Sequence, residues 1–126
     1  MKNLFLISIL LSFNAFSINL SGCWKSESGS ATYDLTIHEM NHTLSGSYCF
    51  INANGNRIDC DKDSSLIDGS VSNGIGVISF GGGGKGQLSY DNNYLTLKII
   101  DPKPFEDFNM HLPTEIILSK SDKCKK

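Results

Sequence analysis

Residues 48–60 read YCFINANGNRIDC. The dipeptide Asn54-Gly55 at the centre favours a two-residue type I′ turn between two antiparallel strands. In such a hairpin Cys49 and Cys60 face each other, because each lies five residues from its end of the turn. Counting rungs from the turn makes them a hydrogen-bonded pair with Cα atoms about 5.5 Å apart, which is within disulfide range. The stretch predicts a β-hairpin stapled by a Cys49–Cys60 disulfide.

The same register divides the other side chains of this hairpin between two faces. Ile51 and Ile58 share the face of the cysteines. The opposite face carries two aromatic and two charged residues, which are Tyr48, Phe50, Arg57 and Asp59. If this mixed face points into the protein, it is a candidate ligand-binding site; if it points outward, it is a surface ion pair beside two aromatic residues.

The rest of the chain has the same alternating pattern. Apolar residues alternate with polar ones in residues 33–37, 44–50 and 95–99, and turn-forming residues recur every 8 to 12 positions. We therefore expect an all-β domain, an antiparallel up-and-down meander of about eight strands that closes into a barrel, with a β-sandwich as the alternative. Two disulfides would staple it. By elimination Cys23 pairs with Cys124, which joins the first strand to the last.

The N-terminus has the layout of a secretory signal peptide. Lys2 precedes a short apolar run, and the small-residue pattern Ala15-Phe16-Ser17 follows, so we expect cleavage after Ser17. The prediction is a signal peptide over residues 1–17 and a single barrel domain over residues 18–126. An alternative is a lipoprotein anchored at Cys23, since residues 20–23 read LSGC; the even cysteine count favours the signal peptide.

Charge and hydropathy exclude some classes of partner. The chain has 11 basic and 13 acidic residues, and only Lys2 of these lies in the predicted signal peptide, so the mature net charge is about −3. The sequence has no stripe of basic residues that could bind along a phosphate backbone, which argues against nucleic acid as a partner. No apolar run reaches the roughly 20 residues of a transmembrane helix. We expect a periplasmic or secreted protein.

Two motifs resemble catalytic or nucleotide-binding sequences. Residues 38–42 read HEMNH, which matches H-E-x-x-H of zinc proteases, but that chemistry needs a helix and this stretch continues an alternating strand into a turn. We interpret it as a chance match and expect no metal, no cofactor and no catalytic residue. Residues 81–86 read GGGGKG without the Ser or Thr of a phosphate loop, so they predict a hairpin loop.

The segment 101–113 is the most unusual connection. It is longer than the other turns and contains three prolines among aromatic and charged residues. Long loops on a rigid scaffold often carry function, and aromatics beside charges are typical of protein contact surfaces. The candidate partner-binding residues are Phe105, Glu106, Asp107, Phe108, Met110 and His111. The alternative is that Phe105 and Phe108 plug one end of the barrel or form a further strand.

The N-terminal part of the domain resembles a known group of barrels. Its elements are LSGCW at 20–24, SGS at 28–30, LTI at 35–37 and LSGSY at 44–48. These are similar to the opening of avidin-type and related lipocalin-like small β-barrels. The resemblance implies a barrel in which Ser30 and Tyr48 are polar ligand contacts, with Ser26 where that family has Asn. Its biotin pockets use several tryptophans and this chain has only Trp24, so biotin binding is not implied.

These observations favour a binding protein over an enzyme. The expected function is recognition of a protein partner in the cell envelope, such as inhibition of, or immunity to, an envelope or cell-wall hydrolase. The alternative is a lipocalin-like carrier that holds a small ligand inside the barrel against Tyr48, Phe50 and Arg57. A zinc hydrolase is the least favoured.

Overall fold

The computed structural model describes residues 19–53, 57–60, 65–81, 83–103, 105 and 112–122. Nine strands lie in this part of the chain. They are β1 (Gly22–Ser28), β2 (Ala31–Met40), β3 (Thr43–Asn52), β4 (Arg57–Asp59), β5 (Leu66–Ser72), β6 (Ile75–Phe80), β7 (Lys85–Asp91), β8 (Tyr94–Asp101) and β9 (Glu115–Ser121).

Eight of these strands form a closed antiparallel barrel. The hydrogen-bonded order is β2-β1-β9-β8-β7-β6-β5-β3, and β2 also pairs with β3, so every one of these strands has two neighbours and the first strand pairs with the last. The short strand β4 pairs only with the end of β3, beyond the part of β3 that pairs with β5. The all-β antiparallel barrel is confirmed, and the alternative of a two-sheet sandwich is wrong.

The register of the β3–β4 hairpin agrees with the sequence. Phe50 lies opposite Asp59 and Ile51 lies opposite Ile58. The Cys49–Cys60 disulfide is confirmed, with Cα atoms 4.2 Å apart rather than the expected 5.5 Å. Cys60 lies one residue beyond the end of β4, so ladder hydrogen bonds do not fix its spacing. The predicted turn at Asn54-Gly55 lies outside the described residues.

The second predicted disulfide is not described. The structure contains one described bridge, Cys49–Cys60, and Cys124 lies outside the described residues. Cys23 is buried at the start of β1 and is not a free thiol. The pairing of Cys23 with Cys124 stays a prediction.

The barrel interior is filled by the inward-facing side chains of all eight strands. Alternate residues of each strand point inward, as the period of two requires. Aliphatic and aromatic side chains together make one core, which consists of Leu20, Trp24, Tyr33, Leu35, Ile37, Leu44, Tyr48, Phe50, Ile67, Ile78, Phe80, Leu88, Leu95, Leu97, Phe105, Ile116 and Leu118. Tyr48 and Phe50 belong to it, so the β3 part of the mixed face points into the barrel, whereas Arg57 on β4 is exposed.

Two core residues come from outside the strands, and each closes one end of the barrel. Leu20 precedes β1 and lies at the end that holds the β2–β3, β5–β6 and β7–β8 turns. Phe105 follows β8 and lies at the opposite end, which we call the loop end because β8 ends and β9 begins there. Closing both ends keeps water from the apolar interior.

The glycine-rich residues after β6 form a tight hairpin, as the sequence predicts. Phe80 donates its backbone N–H to the carbonyl oxygen of Gly84 at 2.8 Å, and Gly83 donates to the carbonyl oxygen of Phe80 at 2.9 Å. Strand β7 follows at once, so there is no helix N-terminus here to meet a phosphate.

No helix in the described ranges is both long enough and apolar enough to cross a membrane.

We expect Phe105→Ala to lower the free energy of unfolding by about 3 to 5 kcal/mol, because it removes a fully buried ring and leaves a cavity. Urea unfolding followed by tryptophan fluorescence measures the loss. Ile117→Ala is the matched control, since Ile117 is exposed on β9 and its truncation should change stability by less than about 0.5 kcal/mol. Equal losses in the two variants would contradict the plug.

The Cys23–Cys124 bridge is tested by peptide mapping of the oxidised protein without reductant. We expect one cross-linked species that contains Cys23 and Cys124 and one that contains Cys49 and Cys60, because four cysteines in an oxidising compartment pair fully. A cross-linked species that joins Cys23 to Cys49 or Cys60 would show that the predicted Cys23–Cys124 bridge is wrong.

Candidate functional site

The predicted partner-binding segment begins at the loop end of the barrel. Phe105 is 1% exposed there, so for this residue the plug interpretation holds. Its ring lies 5.7 Å from that of Tyr48, 5.5 Å from that of Phe50 and 5.2 Å from that of Phe80, measured between centroids. Such edge-to-face and tilted contacts stabilise aromatic pairs beyond the area they bury. Phe105 therefore fixes the position of the segment on the barrel.

The remaining candidate contacts lie outside the described residues. They are Glu106, Asp107, Phe108, Met110 and His111. Their role in partner binding stays a prediction. The structure does show what lies on both sides of them, because Phe105 and Leu112 are described.

A cleft of about 510 Å³ opens where the two flanks of the segment meet the end of β8. Its lining consists of Ile99, Ile100, Pro102, Phe105, Leu112, Pro113 and Thr114. Ile100 is 54% exposed at its rim, whereas Phe105 forms part of its buried wall. No ionisable side chain is among these lining residues. The cleft can accept an apolar group, and nothing in its described wall can transfer a proton.

Backbone contacts hold the flanks of the cleft in place. Ile99 donates its N–H to the carbonyl oxygen of Thr114 at 2.8 Å, which joins the two sides. On the near side, the Lys103 N–H is bonded to the Asp101 carboxylate at 3.2 Å. The carbonyl oxygen of Lys103 packs directly on Gly84, where a Cβ would collide with it. A residue without a Cβ is therefore needed at position 84 for Lys103 to lie this close to the barrel.

The alternative ligand site consists of Tyr48, Phe50, Arg57 and Asp59. The Tyr48 hydroxyl donates to Asp59 Oδ2 at 3.1 Å. Its ring lies 4.8 Å from that of Phe50 and 5.1 Å from that of Phe80. Arg57 is exposed on β4. The structure brings Tyr48, Phe50 and Asp59 together, but packed aromatic rings occupy the space that a ligand would need.

Burial raises the pKa of the Tyr48 phenol well above its usual value. The negative charge of Asp59 and the hydrogen bond to its carboxylate raise that pKa further, because both favour the protonated phenol. Tyr48 is therefore a neutral hydrogen-bond donor at physiological pH. It satisfies a carboxylate at the edge of the core and cannot serve there as a base.

The residues implied by the avidin resemblance do not form one pocket. Tyr48 points into the barrel, but Ser30 is exposed in the β1–β2 turn. There the carbonyl oxygen of Ser30 accepts the N–H of Ala53 at 3.0 Å. Ser26 is half-buried in β1. The barrel architecture agrees with the resemblance, whereas the implied ligand contacts are dispersed.

The H-E-x-x-H motif lies at a strand end and turn, as the sequence predicts. His38 and Glu39 belong to β2, and His42 lies in the turn that follows with a φ of 65°. The Glu39 carboxylate accepts the N–H of Leu20 at 2.8 Å and so has a structural partner. Within the described ranges, no three histidine, cysteine or carboxylate side chains are grouped as metal ligands.

A second groove, which the sequence did not predict, lies on the outer surface beside the disulfide. It has a volume of about 450 Å³, and its lining is Asp34, Thr36, Ser47, Tyr48, Cys49, Ile51, Cys60, Ser65 and Leu66. Lys25 Nζ lies 3.8 Å from the carboxylate of Asp34. Most of these positions face outward on β2 and β3, and the alternation alone could have identified that face. The groove itself also needs Cys60, Ser65 and Leu66, which the tertiary structure brings beside that face.

Comparison with known proteins supplies no function for this chain. No protein family model, no curated protein and no solved structure matches it. The functional interpretation therefore depends on the geometry described above.

The raised pKa of Tyr48 predicts a pH dependence of stability. Above about pH 10 the unfolded state loses the phenol proton while the folded state keeps it, so stability falls by about 1.4 kcal/mol per pH unit until the folded-state pKa is reached. Tyr48→Phe should remove this part of the slope. Tyr94→Phe, the same substitution at an exposed tyrosine, is the matched control. Urea unfolding between about pH 9 and 11 measures the free energy of unfolding as a function of pH. Parallel slopes for wild type and Tyr48→Phe would contradict the prediction.

Proposed function

We propose that this chain is a secreted or periplasmic binding protein that acts on a protein partner, such as an inhibitor or immunity protein that neutralises an envelope or cell-wall hydrolase. The observation that carries the proposal is the apolar cleft at the loop end of the barrel, between Ile100 and Leu112. It is bounded on both sides by the segment whose composition is typical of a protein contact surface.

The filled barrel supports a protein partner over a small ligand carried inside. Tyr48, Phe50, Phe80 and Phe105 contact one another across the loop end, with ring centroids 4.8 to 6.1 Å apart. A lipocalin-like carrier would need this volume for its ligand. Recognition is therefore assigned to the outside of the barrel, where a protein partner can reach.

Charge indicates what kind of surface the partner presents. The segment 101–113 contains three carboxylates and one lysine, and the whole chain has a net charge of −2. By its composition the segment is complementary to a basic surface, and the apolar cleft is complementary to an apolar side chain of the partner. The described lining of the cleft has no ionisable group, which supports binding rather than catalysis at this position.

The Cys49–Cys60 disulfide is compatible with the proposed location. Disulfides persist in oxidising compartments such as the periplasm and the extracellular space. The stapled barrel supplies a rigid support for the segment that begins at its loop end.

The test uses Ile100→Asp, which puts a charge at the rim of the cleft without disturbing the core. Val77→Asp is the matched control, since Val77 is 53% exposed on the outer face of β6 and Ile100 is 54% exposed. Each protein, oxidised and immobilised, captures proteins from an envelope extract, and circular dichroism verifies the folding of both variants. We expect a partner that wild type and Val77→Asp retain and that Ile100→Asp binds at least about tenfold more weakly, because a buried unpaired charge costs several kcal/mol.

Calorimetry with the purified partner measures the change in Kd, and an activity assay shows whether the partner is a hydrolase that the barrel inhibits. Equal retention by all three proteins would move the binding surface away from the cleft. Capture of no protein, with a small molecule in the native mass spectrum, would favour the carrier instead.

A further inference from the structure

The short segment before β1 is built into the barrel. Leu20 is 2% exposed and its side chain reaches into the core beside Gly76, at the end opposite the loop end. Its carbonyl oxygen accepts the indole N–H of Trp24 at 3.0 Å. A buried leucine in contact with a buried tryptophan is an integral part of the core, and we call it the Leu20 seal.

Two hydrogen bonds to Glu39 fix the backbone of the seal. Leu20 donates its N–H to the Glu39 carboxylate at 2.8 Å, and Ser21 Oγ accepts the backbone N–H of Glu39 at 2.8 Å. Asn19 Oδ1 accepts the N–H of Ser21 at 2.8 Å, which is an Asx turn that directs Leu20 inward. Asn19, Leu20, Ser21 and Glu39 therefore form one hydrogen-bonded unit, and Asn19 is its first member among the described residues.

The cysteine of the LSGC sequence is unsuited to carry a lipid in this fold. Cys23 is 7% exposed in β1, and it is not a free thiol. A chain cut before Cys23 would lose Asn19, Leu20 and Ser21, which would open the end of the barrel. A diacylglyceryl group on the Cys23 sulfur would have to extend to the membrane from a buried position.

We propose that the exported chain keeps the Leu20 seal, so that the peptide bond hydrolysed during export lies before Asn19 and Cys23 is not acylated. The hydrolysis adds one water to that bond and leaves a new amino terminus upstream of the seal. The LSGC sequence is then part of the folded domain rather than a processing signal. Glu39 of the H-E-x-x-H motif has the structural role of holding the seal.

The first experiment exports the full chain from a Gram-negative host and determines its N-terminus and intact mass. We expect a soluble product that begins at or before Asn19, without added lipid. A membrane-bound product that begins at Cys23 and carries a diacylglyceryl group would overturn the proposal.

The second experiment measures the seal itself in the exported protein. Leu20→Ala should lower the Tm by at least about 10 °C, since it removes a buried leucine from a small domain. Leu66→Ala is the matched control, the same substitution at an exposed site on β5, and should change the Tm by less than about 2 °C. Glu39→Gln keeps the acceptor for Leu20 and should be milder than Glu39→Ala. An unchanged Tm for Leu20→Ala would show that the segment is dispensable and would remove the structural basis for the proposal.

Discussion

Closure of the sheet by the pairing of β1 with β9 is the constraint on which the rest of the structure depends. This pairing joins the first strand to the last through Cys23, Trp24 and Lys25 opposite Ser121, Lys120 and Ser119. A closed sheet has no exposed edge along these strands, and the interior of an eight-stranded barrel is of a size that side chains can fill, as they do here. The inward alternation of aromatic and aliphatic residues on every barrel strand supplies those side chains.

Filling the barrel leaves two openings, and the chain closes them with residues outside the strands. Leu20 closes one end and Phe105 closes the other. The two residues have different consequences for function. Leu20 ties the N-terminal segment to the core, whereas Phe105 anchors a segment whose flanks form a cleft on the outside. A barrel sealed in this way offers its outer surfaces and its loop end for recognition, which is why we propose that it binds a protein partner.

The polar residues at the core edge serve the same architecture. The Tyr48 hydroxyl satisfies Asp59, and the Glu39 carboxylate satisfies the backbone of Leu20. In the sequence, Asp59 belonged to the mixed face that suggested a ligand-binding site, and Glu39 belonged to a motif that resembles a zinc protease site. In the fold each has a hydrogen-bond partner that explains its presence, because a partly buried carboxylate without one would be costly.

The sequence by itself determined the elements and the local register. The alternation of period two predicted the strands, and the spacing of Cys49 and Cys60 about Asn54-Gly55 predicted both the β3–β4 pairing and the disulfide, because these are interactions between residues close in the chain. Tertiary structure decided which face of that hairpin became the interior, since closure depends on strands far apart in sequence. It also decided that Phe105 is a plug rather than an exposed contact and that Leu20 belongs to the core. Neither residue lies in an alternating strand, so no periodic signal could place it; each position results from the shape of a barrel end that exists only after the sheet has closed.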